Sequence, residues 1–188
     1  VLWLLGDEST ADRTFGPEEK AHLAGFLDGG GKAFLSGSEI GWDIGRIASP
    51  NSDTSFYRRY LKAVYLGDAA SSTSFTGLAG SLFEGISGTC GIEYPEDYPD
   101  YVQISGGSAA VVSYSGGQIA GVGYRGAFGA GTNPGALIYL CFPIETIGTN
   151  SVRAALISGA LDYFEGTSSA APRADLPFGI ALLTSYPN

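Results

Sequence analysis

The chain of 188 residues has one histidine, no methionine and two cysteines. Each scarcity removes a class of chemistry. With His22 alone, and on a segment that reads as the first helix, no imidazole is placed to activate a serine or cysteine elsewhere. Cys90 and Cys141 form neither a CxxC pair nor a zinc spacing. Two separate buried thiols is one reading of them, and a disulfide in an exported chain is the other. No apolar run approaches the roughly 20 residues of a membrane helix. Basic residues are scarce too, ten against nineteen acidic, for a net charge of −9. Such a surface repels nucleic acid and anionic lipid, so neither is expected as a partner. No G-x-x-x-x-G-K-[ST] loop occurs, and Gly29-Gly30-Gly31 follows a helix instead of opening one. There is no initiator Met and no basic leader before "VLWLLGDEST", so the chain reads as a piece of a longer one, cut near its first strand.

Glycine, by contrast, is abundant, at 29 residues, and 44% of the chain is hydrophobic. That composition predicts one folded domain rich in turns. "VLWLL" is a continuous apolar run, the pattern of a strand covered on both faces. "GPEEKAHLAGFLDGGG" follows as a helix, with Pro17 in its first turn, Glu18 and Glu19 at its positive end and three glycines to stop it. "KAFLS" is a second strand, which completes a βαβ unit. A second helix is expected over Thr54 to Val64. "YVQIS", "AAVVSYS" and "QIAGVGYR" are short β-rich runs, the last two joined as a hairpin through Gly116-Gly117. "GALIYLCFP" is another buried strand. "SVRAALISGALDYF" is a closing helix, expected to face inward through Val152, Ala155, Leu156, Gly159 and Tyr163. Residues 1–165 make the domain, and 166–188 read as a linker or tail toward a following module.

The stretch "KAFLSGSEIGWDI" runs from a buried strand into a Gly- and Ser-rich turn, where α/β enzymes place a nucleophile. Ser36 and Ser38 are the candidates. Neither satisfies G-x-S-x-G, because Phe34, Ser36 and Ile40 occupy the places that need glycine. Gly37 is expected to make the tight turn with a positive φ. Asp7, Glu8, Glu39 and Glu145 each follow a buried strand. Converging carboxylates suit a ligand site, a hard cation such as calcium, or glycosidic hydrolysis; caps on helix starts are the structural reading. "GIEYPEDYPDY" sets Glu93, Glu96, Asp97 and Asp100 among Tyr94, Tyr98 and Tyr101, a composition suited to sugar stacking or a loosely held calcium, or simply to a surface loop.

"WLLGDEST", "FLDGGGKAFLSGSEIGWDI", "LIYLCFPIETI" and "RAALISGALDYF" resemble the class I glutamine amidotransferase-like (flavodoxin-like) domains. The closer likeness is to the non-amidotransferase branch in large secreted bacterial proteins, some of them xanthan lyase-like. "SYPN" resembles the start of a "YPNP" motif that opens C-terminal modules of exported proteins. The resemblance implies an α/β fold with a mainly parallel central sheet flanked by helices, with antiparallel β additions in the second half. It implies a site at the carboxyl ends of the strands. It also implies export, and with export and an even cysteine count the expectation is a Cys90–Cys141 disulfide. Where active members carry a Cys and a late His, this chain has serine and "CFPIE". The function expected is a non-catalytic accessory, ligand-binding or assembly domain of a secreted bacterial protein. Its partners would be neighbouring domains and a polysaccharide, with no cofactor other than calcium. The alternative is a hydrolase of a carbohydrate or ester using Ser36 or Ser38 with Glu39 and Glu145.

Overall fold

The computed structural model describes residues 1–166. The tail expected over 166–188, including "SYPN", lies outside the described residues apart from Gly166. In chain order the elements are β1 (Leu2–Gly6), α1 (Pro17–Asp28), β2 (Lys32–Gly37), α2 (Thr54–Phe56), β3 (Ala63–Gly67), β4 (Ser74–Gly77), β5 (Ser87–Thr89), β6 (Tyr101–Ile104), β7 (Ala109–Tyr114), β8 (Ile119–Ala127), β9 (Pro134–Leu140) and α3 (Asn150–Glu165). Short π-helical turns cover Gly41–Gly45 and Tyr57–Leu61.

The nine strands form one mixed sheet, ordered β1-β2-β9-β8-β7-β4-β5, with β6 joined to β8 and β3 to β6. Only β1–β2 and β2–β9 pair in parallel. The other six pairings are antiparallel. This overturns the expected mainly parallel, flavodoxin-like sheet. The physical reason lies in the second half of the chain. Its strands are short and separated by Gly-rich turns, and a turn of a few residues can reverse a chain but cannot return it to a parallel neighbour. The β7–β8 hairpin turns through Gly117, at φ +85, with Gly117 N–H bonded to Tyr114 O at 2.8 Å. Few helices result. Only α1 and α3, of 12 and 16 residues, run beyond a turn or two among the described residues.

α1 and β2 form as the sequence signals, and β1 forms as a strand, but it lies at the sheet edge with only Leu5 buried, so it is not covered on both faces. Gly16 N–H bonds the Glu19 carboxylate at 2.6 Å, Pro17 occupies the first turn, and Gly31 N–H closes on Phe26 O at 2.8 Å. The helix expected over Thr54 to Val64 stops sooner. Lys62 takes a left-handed conformation at φ 57, and Ala63 already belongs to β3. The Lys62 ammonium sits 4.1 Å from the centre of the Tyr124 ring, which offsets part of its burial. The closing helix buries Leu156, Ala160 and Phe164, a face rotated slightly from the expected one.

Alternation along β2 and β9 divides the core. Ala33, Leu35, Leu137, Tyr139 and Cys141 join the cluster packed under α1 and α2. Phe34, Ala136, Ile138 and Leu140 join the cluster packed under α3, which also holds Cys90. The two cysteines therefore belong to opposite faces of the sheet, and both are free, buried thiols. The expected disulfide is absent because the sheet stands between the partners. Cys90 is satisfied instead by donating to Thr73 O at 3.2 Å.

Candidate functional site

β1, β2 and β9 run parallel, so their carboxyl ends share one edge. Gly6 ends β1 at φ +60, a conformation in which a side chain would be strained. Gly37 has no positive φ, contrary to expectation. Its constraint is packing, since a Cβ there would lie 3.0 Å from Leu5 Cβ and 3.1 Å from Ile40 Cδ1.

Loop 91–100 is fastened across this edge at three places. Ile92 and Glu93 N–H groups bond Thr146 O at 2.9 and 3.1 Å. The Ser38 hydroxyl donates to Glu96 Oε1. Gly41 and Trp42 N–H groups bond Asp100 Oδ2 at 2.6 and 3.2 Å. The tyrosine- and acid-rich segment, read in the sequence as a separate feature, is thus part of the strand-end site.

Beneath the loop lies a cavity of about 180 Å³, lined by Asp7, Ser9, Ser38, Glu39, Pro95, Glu96, Asp97 and Tyr98. Of the sequence-derived candidates it brings together Asp7, Ser38 and Glu39. Glu8 is exposed and not in the lining; burial against its surroundings and the charges of Glu19, Asp12 and Asp7 push its carboxyl upward. Glu145 also lies outside the lining and accepts the Tyr94 hydroxyl at 3.3 Å. Burial raises the Glu145 carboxyl, against the opposing pull of its own backbone amide and Tyr94.

Ser36 has no hydroxyl to spare. It is fully buried, donates to Phe142 O at 2.7 Å and accepts Ile144 N–H at 2.9 Å, tying β2 to the chain beyond β9. Glu39 accepts the Ser9 hydroxyl, and neither Ser36 nor Ser38 bonds Glu39 or Glu145. His22 stands exposed on α1.

Sequence reasoning grouped Glu96 with the loop and did not place it in the site. It is 8% exposed, its Oε1 accepts from Ser38, and its Oε2 has no hydrogen-bond partner. Burial pushes its carboxyl up to about 7; the Ser38 hydroxyl and the Tyr98 amide oppose this, while the charges of Glu39 and Asp7 add to it. The only signal for it in the sequence was a carboxylate hemmed in by Pro95 and tyrosines. Asp100, fully buried, is raised by burial well above the usual carboxylate range despite two backbone donors. Among the described residues, no group of three or more His, Cys, Asp or Glu is arranged to hold a metal ion. No helix there is long and apolar enough to cross a membrane.

A second groove, of about 310 Å³, lies on the β7 side among Leu82, Ala109, Val111 and Tyr163. It carries no titratable cluster.

No protein-family model matches the sequence, and no curated protein sequence matches it. Three solved structures are similar in fold. An exo-beta-1,4-mannosidase, Op5Man5, from Opitutaceae bacterium strain TAV5 is 14% identical at a TM-score of 0.45, over 78% of this chain and 21% of that one. The beta-galactosidase from Rahnella sp. R3 is 12% identical at 0.50, over 88% and 22%. The mmIFT52 N-terminal domain is 11% identical at 0.51, over 90% and 79%. The chain spans about a fifth of the length of the two glycosidases. The mixed sheet, with the beta-galactosidase and IFT52 neighbours, overturns the resemblance to class I glutamine amidotransferase-like, xanthan lyase-like domains. The expectation of a secreted bacterial protein came from that resemblance and loses its support with it. At such identities the likeness is one of fold alone.

Proposed function

We propose that this domain is a non-catalytic binding module for a small polyhydroxylated ligand of saccharide type, held in the strand-end crevice beneath loop 91–100. The observation that carries the reading is the lining itself. Four carboxyl-bearing side chains and the exposed Tyr98 line one small cavity, with the Ser9 and Ser38 hydroxyls held by Glu39 and Glu96. Carboxylates accept from sugar hydroxyls, and an aromatic face packs against sugar C–H groups. Neighbouring domains of a longer chain would use it as an accessory.

The absence of an imidazole beside either serine argues against catalysis. Ser36 is spent on backbone groups, and the sole histidine is remote on α1. One observation favours a second reading, an ester or carbohydrate hydrolase: Ser38 donates to a carboxyl whose proton affinity lies near neutrality. A fluorophosphonate probe separates the two. Covalent labelling of Ser38 would support the hydrolase; an unlabelled protein supports the binding module. Affinity electrophoresis through soluble polysaccharides tests binding. Retardation that is lost in Tyr98→Ala is the expected result, and free migration in neutral, acidic and basic polysaccharides alike would refute the module.

A further inference from the structure

Loop 91–100 is tied down at both ends through backbone groups. At the first end the Ile92 and Glu93 N–H groups bond Thr146 O, and Arg153 of α3 stands 3.8 Å from the Glu93 carboxylate. At the last end Pro99 O accepts Ala70 N–H at 3.1 Å, and the fully buried Asp100 accepts the Gly41 and Trp42 N–H groups. The middle, residues 94–98, is held by side chains: the Ser38 hydroxyl donates to Glu96, and the Tyr94 hydroxyl donates to Glu145. Glu96 Oε2 and Glu145 Oε2 are shielded from solvent and have no hydrogen-bond partner. A buried carboxyl with one oxygen unpaired rests as the neutral acid, because an unpaired buried charge costs far more than an unpaired neutral group.

We propose that residues 94–98 form a pH-sensitive strap over the strand-end crevice, shut while Glu96 is protonated and released when Glu96 ionises. The groups that face Glu96 give the direction. Asp7 beyond β1 and Glu39 beyond β2 sit on the fixed strand ends. Ser38 and the Tyr98 amide donate to Glu96. Cys90 after β5, Tyr114 on β7 and Tyr94 complete its surroundings, and none of these groups is basic. An anion on the strap is repelled by the carboxylates of the body and reaches water only by carrying the strap outward. Burial pushes the Glu96 carboxyl up to about 7, so the change falls near neutrality. In the released strap Glu96 regains its ordinary value of 4.5. The shut form binds the proton more tightly, so closure is at full strength below 4.5 and is lost as pH rises through about 7. Pro95, Glu96, Asp97 and Tyr98 are half of the cavity lining, so release takes the crevice apart. The strap would move in this way whether or not a saccharide is the ligand.

The test is amide NMR on the intact, ligand-free chain between about pH 5.5 and about pH 8.5, a range over which the released fraction should rise about 30-fold, from a carboxyl value of 4.5 released and about 7 shut. The Glu96, Asp97 and Tyr98 amides should shift with a midpoint at about pH 7. The exchange protection of the Tyr98 amide, corrected for the intrinsic pH dependence of exchange, should fall about tenfold or more, while that of the Ile92, Glu93, Gly41 and Trp42 amides holds. Glu96→Gln should keep wild-type protection across the range. Ser38→Ala, which removes a donor to the ionised form, should move the midpoint to higher pH. Protection that does not change with pH, an equal fall at the anchoring amides, or the same fall in Glu96→Gln would each overturn the strap. If Glu96→Gln does not fold, Ser38→Ala decides, and a midpoint that stays in place or moves to lower pH overturns it.

Discussion

Glu96→Gln gives the sharpest stability prediction, because it removes a charge and leaves the shape. In the unfolded chain the carboxyl ionises near its ordinary value of 4.5; in the folded chain it ionises near about 7. The gap of about 2.5 units, at 1.36 kcal/mol each, corresponds to about 3 kcal/mol. The raised value means that the folded state holds the proton more tightly. The stabilisation is therefore complete below pH 4.5, declines as pH rises between 4.5 and about 7, and is gone above that. Groups facing Glu96 set the effect: Ser38 and Glu39 beyond β2, Asp7 beyond β1, Cys90 beyond β5, Tyr94 on its own loop and Tyr114 on β7. In the Glu96→Gln variant the amide oxygen still accepts the Ser38 hydroxyl, but there is no proton to lose. Urea denaturation of both proteins between about pH 4.5 and about pH 8.5 is the assay. The difference in unfolding free energy should move by about 3 kcal/mol in favour of the variant as pH rises. Because Glu145 and Asp100 titrate in both proteins, they cancel in the difference. A flat difference would refute the burial argument, and one moving the opposite way would mean that Glu96 is held ionised in the fold.

Ser36→Ala should destabilise the fold by about 1–3 kcal/mol in the same assay, because it orphans Phe142 O and Ile144 N–H in a dry site; an unchanged midpoint would show that water or a shift replaces both bonds. Gly41→Ala should cost about 1–3 kcal/mol, since the new Cβ would lie 2.7 Å from Tyr65 Cδ2 and 2.8 Å from Asp100 Oδ2; thermal melting reads it, and a wild-type Tm would contradict the packing. Both thiols should be silent to Ellman's reagent in the native protein and react only on unfolding, with Cys90 raised to about 12 by burial and by the Glu96 charge. A mass lower by two hydrogen atoms before reduction would contradict two free cysteines.

Local signals in the chain read well. Pro17, Glu19 and Gly29–Gly31 bound α1, and Gly116-Gly117 marks the β7–β8 hairpin, because caps and tight turns are written in neighbouring residues. Strand direction is not. "GALIYLCFP" is apolar enough for a parallel strand and does pair in parallel with β2, yet its other edge takes β8 antiparallel. Nothing in the run distinguishes the two edges. That Asp7, Ser38 and Glu39 would meet beyond the strand ends was legible, whereas Glu8 and Glu145, expected with them, lie outside the cavity. Glu96 was not legible, because its place depends on a loop that returns to Ser38 from 58 residues further along the chain. The disulfide failed for a related reason: an even cysteine count says nothing about which face of a sheet each thiol occupies.

Amide chemical-shift mapping during titration with soluble neutral, acidic and basic oligosaccharides tests the account most directly, when combined with an assay for released reducing ends on a polysaccharide substrate. Shifts confined to Asp7, Ser9, Ser38, Glu39 and residues 96–98, with no reducing ends released, are the predicted result. Shifts centred instead on the groove at Leu82, Val111 and Tyr163, or reducing ends formed at a rate abolished by Ser38→Ala, would contradict it.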